Sequence, residues 1–285
     1  MTYPKSTPAR RIAAIALAVC AAASAAFLPR GLVGTAAAGG AAVKVDTALV
    51  LAVDVSDSVD AERYRLQMEG IARALEDDGV IAAITSGAHG GIALALVTWA
   101  DKGQVSLDWQ IIRSVDDANR VAMRIRSLPQ VTGEFTCMAR MMKLLKESVV
   151  DALPVEAART VIDVSGDGID NCDYPAETKR RRDDLLALGI TINGLPIIVQ
   201  GENETVGAGA YRAPGLELNG GANIGPASER TTLDQWYKEF VVGGPANFLL
   251  PAHGFEDFGR AFRQKFVTEI SANPDGVPRG YAALP

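Results

Sequence analysis

The chain has 285 residues, 48% hydrophobic, 22% charged and 6% aromatic, a globular composition that excludes a disordered or fibrous protein. Its 34 acidic and 28 basic residues give a formal charge of −6, which argues against a nucleic-acid binder that works by neutralising phosphates and leaves cation binding open. Three cysteines are an odd number, so one is free or belongs to a removed segment.

Residues 1–40 predict an export signal and a short linker. Lys5, Arg10 and Arg11 precede an uncharged, alanine-rich apolar run over residues 12–28, the n-region and h-region of a secretory signal. Small residues at Ala23, Ser24 and Ala25 allow cleavage near 25, and those over 35–39 a second cut near 39. An uncleaved anchor is the weaker alternative, because a spanning helix takes about 20 strongly apolar residues and this run is shorter and mostly alanine. The expectation is an exported chain, periplasmic or secreted, with no stable membrane span once processed. Cleavage after Ala25 removes three bases and no acid, shifting the charge from −6 to −9. It also removes Cys20, leaving Cys137 and Cys172 in a compartment where a disulfide persists.

From Asp46 onward, short apolar runs alternate with longer amphipathic ones. Residues 47–53, β-branched and leucine-rich without alternation, predict a central strand buried on both faces. Residues 60–75 carry Tyr64, Met68, Ile71 and Leu75 at helical spacing. Residues 92–99 and 104–109 predict two strands joined by a short hairpin. Ser114 with Asp117 resembles a capping box opening a helix through Leu128. A helix from Thr136 buries Met138, Met141, Met142, Leu145 and Val149. Residues 160–165 predict a strand, Pro175 opens a helix, and 191–199 predict another strand.

Residues 201–230, with seven glycines and two prolines, predict a long loop on the ligand side of the sheet. Residues 248–251 predict the final strand, Phe255, Phe258, Phe262, Phe266 and Ile270 mark the last helix, and 272–285 form a loose tail. Strands alternating with helices in this way predict an α/β fold, a doubly wound, mostly parallel sheet with helices on both faces, in one domain over 46–271. Such sheets bind ligands at the carboxyl ends of their strands.

The first central strand ends in Asp54-Val55-Ser56-Asp57-Ser58, an aspartate and two hydroxyls at i, i+2 and i+4 on a turn. Thr136 opens a helix after a glycine-containing turn, and Asp167 follows the strand at 160–165. These segments should meet at one edge of the sheet. Two carboxylates and three hydroxyls make a hard, oxygen-only site that suits magnesium, with manganese or calcium as alternatives. The absence of thiolate and imidazole from the set disfavours zinc. The competing structural role is simpler: both aspartates cap helices and the hydroxyls satisfy turns.

Asp54, Ser56, Ser58, Thr136 and Asp167 in this order resemble the metal-ion-dependent adhesion site (MIDAS) of the von Willebrand factor A family. The Asp-Val-Ser-x-Ser and Ser-Gly-Asp-Gly wording is similar to that of exported bacterial A-domain proteins of unknown function. The resemblance covers about 46–271. It implies six strands with one antiparallel edge, residues 104–109. It also implies that the three hydroxyls coordinate, that Asp54 and Asp167 bind directly or through water, and that a protein partner or other acidic ligand supplies a carboxylate. Asp57, Gly168, Asp170 and Asn171 are candidates for the ligand rim. Glu134 and Phe135 depart from the family, which commonly has small glycines before the threonine.

Cys137 follows Thr136, and Cys172 lies five residues beyond Asp167. If both loops line one site, their sulfurs come within bridging distance, so a Cys137–Cys172 disulfide is expected over two separate thiols. A non-enzymatic binding module is the leading expectation. The alternatives are a secreted hydrolase using His253 and a structural A-domain with an empty site. The Gly-x-Ser-x-Gly elbow of hydrolases is missing. Gly166, Gly168 and Gly189 form no dinucleotide fingerprint, the basic run 179–182 reads as a solvated helix face, and Asn203-Glu204-Thr205 matches a glycosylation sequon.

Overall fold

Every residue of Thr47–Asp54 (β1) is buried, because the strand is apolar on both faces and helices cover both. Leu49, Leu51 and Val53 enter one core and Val50 and Ala52 the other. Ile92–Trp99 (β2) is buried along its whole length, and Gly103–Ile112 (β3) runs antiparallel beside it as an edge. Thr160–Gly166 (β4), Thr191–Ile198 (β5) and Ala252–His253 (β6) extend the sheet in parallel from the other side of β1. The strand order is β6-β5-β4-β1-β2-β3.

The computed structural model describes residues 42–207 and 231–271. The expected export signal, both cleavage zones, Cys20, most of the long loop and the C-terminal tail lie outside them. No helix among the described residues is long and apolar enough to cross a membrane.

Ala61–Leu75 (α1), Asp78–Thr85 (α2), Val115–Arg126 (α3) and Phe258–Ser271 (α7) cover one face of the sheet. Met138–Leu144 (α4), continued as a π-helical turn over Leu145–Val150, packs with Pro175–Leu186 (α5) and Leu233–Phe240 (α6) on the other. Side-chain caps set three starts: Asp60 accepts from Arg63 N, Asp77 from Gly79 N and Val80 N, and Ser114 from Asp117 N. At the crossing of α1 and α7, Gly70 faces Gly259, and a Cβ on Gly70 would fall 2.8 Å from the Gly259 Cα.

Three details depart from the sequence reading. Helices α2 and α6, eight residues each, are too short for the periodic signal that marks the longer ones. The edge strand is Ala252–His253 rather than 248–251: Leu250 N donates to Gly194 O at 3.0 Å, and then Pro251, with no N–H, interrupts the pairing. The long loop is clasped at its base, where Thr205–Val206 pairs antiparallel with Thr231–Thr232.

Candidate metal centre

The chain leaves β1 toward β2 on one side and returns to β4 on the other, so the switch point of the sheet lies between β1 and β4. Asp54 is the last residue of β1 and Asp167 follows the last residue of β4. Their carboxylates therefore stand at adjacent strand ends. Ser56 N donates to Asp54 Oδ1 at 2.9 Å, closing the turn. Ser56 Oγ lies 3.4 Å from Ser58 Oγ, and Ser58 Oγ donates to Asp167 Oδ1 at 2.8 Å. One run of polar contacts thus joins four of the five expected residues.

Thr136 arrives from a third segment. A backbone bridge between Ser56 and Gly133 lays the turn at 133–136 beside the first motif. Thr136 N donates to Asn171 Oδ1 at 2.8 Å and Asn171 N donates back to Thr136 O at 3.1 Å. A Cβ on Gly168 would sit 3.4 Å from Thr136 Oγ1, so the hydroxyl borders the Asp167 loop. The substitution of Glu134 and Phe135 for glycines is accommodated: Glu134 is exposed, and Phe135 N is held by Asp101 Oδ1 at 2.6 Å.

Asp54 is fully buried, while Ser56, Thr136 and Asp167 are 2%, 6% and 6% exposed. Burial first, and then the neighbouring Asp167 charge, push the Asp54 carboxyl from 3.8 up to about 8. Burial also raises Asp167, against the pull of the Ser58 hydroxyl and Arg63. Asp54 Oδ2 is buried without a hydrogen-bond partner. Two carboxylates withdrawn from water side by side are unfavourable unless a cation or proton joins them, so this donor set fits a hard divalent ion. Among the described residues, no group of three or more His, Cys, Asp or Glu side chains is arranged to hold a metal. Any ion here depends on the hydroxyls.

The rim candidates separate. Asp57 is exposed and Gly168 lies against Thr136. Asp170 does not face a ligand: it is 1% exposed, and its oxygens accept from Ala139 N, Cys172 N, Asp173 N and Thr178 Oγ1 at 2.7–3.0 Å. It braces the loop and caps α4. Asn171 is likewise a brace, for Thr136. Cys137 and Cys172 form a disulfide with Cα atoms 5.0 Å apart, tying the start of α4 to the loop after Asp167.

Three residues around the site, Arg63, Glu202 and Tyr237, carry no local motif and were missed in sequence. Arg63 donates from Nη1 to Ser58 O at 3.0 Å and from Nη2 to Glu202 at 2.8 Å, and lies 3.9 Å from Asp167 Oδ2. Asn203 Nδ2 donates to Asp167 O at 2.6 Å and to Ile197 O at 2.9 Å, which makes the sequon asparagine a half-buried clamp. Tyr237 of α6 is fully buried with its hydroxyl unpartnered. His253, the hydrolase candidate, is exposed, and its ring makes no hydrogen bond to a serine among the described residues.

Over residues 44–274 the chain matches the family described as "Protein of unknown function (DUF1194)". No curated protein matches it significantly in sequence. Among solved structures it is similar to proximal thread matrix protein 1 of the mussel byssus, with TM-score 0.54 and 11% identity, over 80% of this chain and 48% of that one. It is also similar to a von Willebrand factor type A protein from Catenulispora acidiphila, with TM-score 0.53 and 12% identity, over 80% and 43%. A structure of the mussel protein with a zinc-occupied MIDAS motif aligns with TM-score 0.50 and 14% identity, over 78% and 45%. This chain therefore covers less than half of each solved chain. At these identities the likeness establishes the fold, that of a von Willebrand factor A domain.

Proposed function

Because the chain belongs to the family described as "Protein of unknown function (DUF1194)" and has a von Willebrand factor A fold, we propose that it is an exported, divalent-metal-dependent binding module. Asp54, Ser56, Ser58, Thr136 and Asp167 hold the ion, and a carboxylate from a protein partner completes its coordination. The observation that carries this reading is the pair of buried carboxylates at the switch point, one with an orphaned oxygen, linked through two serine hydroxyls. Export rests on the N-terminal sequence, and the binding module is placed over 46–271 on the same sequence reading. Magnesium is the resident ion: the donors are all oxygen, and few are charged. The zinc in the mussel relative belongs to that protein.

The bound ion supplies an electrophilic coordination position that a partner's carboxylate fills. The chain's own part is to present the donors. β1 and β4 fix the two aspartates, the Ser56–Asp54 turn aims the hydroxyls, and Asn171, Asp101 and the disulfide hold Thr136 within reach. Arg63, held by Glu202, turns its other guanidinium nitrogen toward Asp167.

The test is thermal unfolding with a magnesium series and with chelator. An ion that binds only the folded state stabilises it by about 2.7 kcal/mol at a hundredfold excess over Kd. Wild type is expected to gain stability with magnesium, and Asp54→Ala to lose that response; an equal response in both removes the site. Manganese and calcium run in parallel establish the metal preference.

A further inference from the structure

Tyr237 occupies a slot made by two glycines. Its ring lies over Gly194 of β5, where a Cβ would fall 3.0 Å from Tyr237 Cδ1. Its hydroxyl reaches Gly166 of β4, where a Cβ would fall 2.9 Å from the Tyr237 oxygen and 2.8 Å from Asp54 Oδ2. The phenol and the carboxylate oxygen therefore lie against the same side of Gly166, and neither has a hydrogen-bond partner. Both side chains are fully buried.

A phenylalanine would fill the same slot without this cost, since a hydroxyl buried unpaired loses its hydrogen bonds to water and gains none in return. The two orphaned atoms explain each other: one is a donor, the other an acceptor, and they share one glycine-lined space. Metal ligands are commonly oriented by a hydrogen bond from behind, and losing such a partner typically weakens metal binding 10–100-fold.

We propose that Tyr237 is a positioning residue of the metal centre, its hydroxyl donating to Asp54 Oδ2, directly or across one water, when the ion is bound. This deepens the function proposed above and rests on it. The glycines are part of the device: any side chain at Gly166 would separate the phenol from the carboxylate, and one at Gly194 would lift the ring out of the slot.

The experiment compares wild type with Tyr237→Phe, using magnesium alone as the probe. Affinity is read by calorimetry, apo stability by unfolding in chelator, and the tyrosine environment by near-ultraviolet difference spectroscopy on adding magnesium. The expected result is roughly tenfold weaker magnesium binding in Y237F, with apo stability unchanged or raised because an unpaired buried hydroxyl has gone. A magnesium-induced tyrosine signal should be present in wild type and missing from the variant. Equal affinity in the two proteins overturns the inference and leaves the metal site standing. Weaker binding with a lower apo stability, or without the tyrosine signal in wild type, assigns Tyr237 to packing and overturns it as well. If wild type binds no magnesium, the site itself fails and the inference falls with it.

Discussion

At the scale of single residues, Asp54 sets the behaviour of the site. Its carboxyl is held up to about 8 by burial and by Asp167, whereas the unfolded chain releases that proton near 3.8. Between those values the folded chain holds more protons than the unfolded one, so apo stability falls as pH rises from about 4 to 8 and levels off above that. An ion requires the ionised form, so metal binding near neutral pH releases protons and tightens as pH rises toward 8. Asp54→Asn, neutral and nearly the same shape, should flatten this fall and be more stable than the metal-free wild type at pH 8. Urea unfolding in chelator across pH 4 to 9 measures both, and identical slopes would falsify the assignment. The motif itself was plain in sequence, since an aspartate and two serines on one turn is a local pattern. What was not legible was the direction of each side chain: Asp170 and Asn171 are neighbours of Asp167, yet both turn inward to backbone donors.

At the scale of elements, close helix contact and loop bracing organise the site. Gly70 lets α1 meet α7 backbone to backbone, with the Gly259 Cα 2.8 Å from where a Cβ would stand. Gly-to-Ala in a helix interior ordinarily stabilises by about 0.5–1 kcal/mol. Here the sign should reverse, because the obstruction is backbone that cannot rotate away, and Gly70→Ala should destabilise by about 1–3 kcal/mol, read by chemical denaturation. The Cys137–Cys172 disulfide spans 35 residues of sequence and contributes about 3–4 kcal/mol on the chain-entropy model. Its place beside Thr136 makes it a brace for the segment that carries that hydroxyl as well. The longer elements were readable because apolar periodicity is a local signal. The short α2 and α6 were not, since eight residues hold barely two turns and their burial comes from distant partners.

At the scale of the whole molecule, α7 is fastened to the sheet by a buried ionic group. Lys265, with no exposed surface, pairs with Asp163 of β4 at 2.7 Å and with Glu269, while Asn193 of β5 donates to Glu269 at 2.7 Å. Burial holds Asp163 up to about 7 against the pull of Lys265. Removing the cation leaves two acids in the core. Lys265→Met should cost about 3–5 kcal/mol, and replacing all three charges together by apolar residues of similar volume should recover most of the loss. Calorimetric unfolding of both variants tests this, and a neutral Lys265→Met would show that the acids are protonated and need no partner. The periodic phenylalanines of α7 announced the helix in sequence, but that periodicity carries no sign that Lys265 and Glu269 are buried with them.

By itself the sequence determined the alternation of strands and helices, the burial of the central strands on both faces and the order of the five candidate ligands along the chain. These depend on side-chain period and turn chemistry, which act over a few neighbouring residues. Only the tertiary structure decided which polar atoms meet: Thr136 with Asn171, Asn203 with the Asp167 carbonyl, and Lys265 with Asp163. Each pairing joins segments far apart in the chain, brought together by the strand order and by glycines small enough to let them touch. Such contacts are set by packing and leave no periodic trace in the residues that make them.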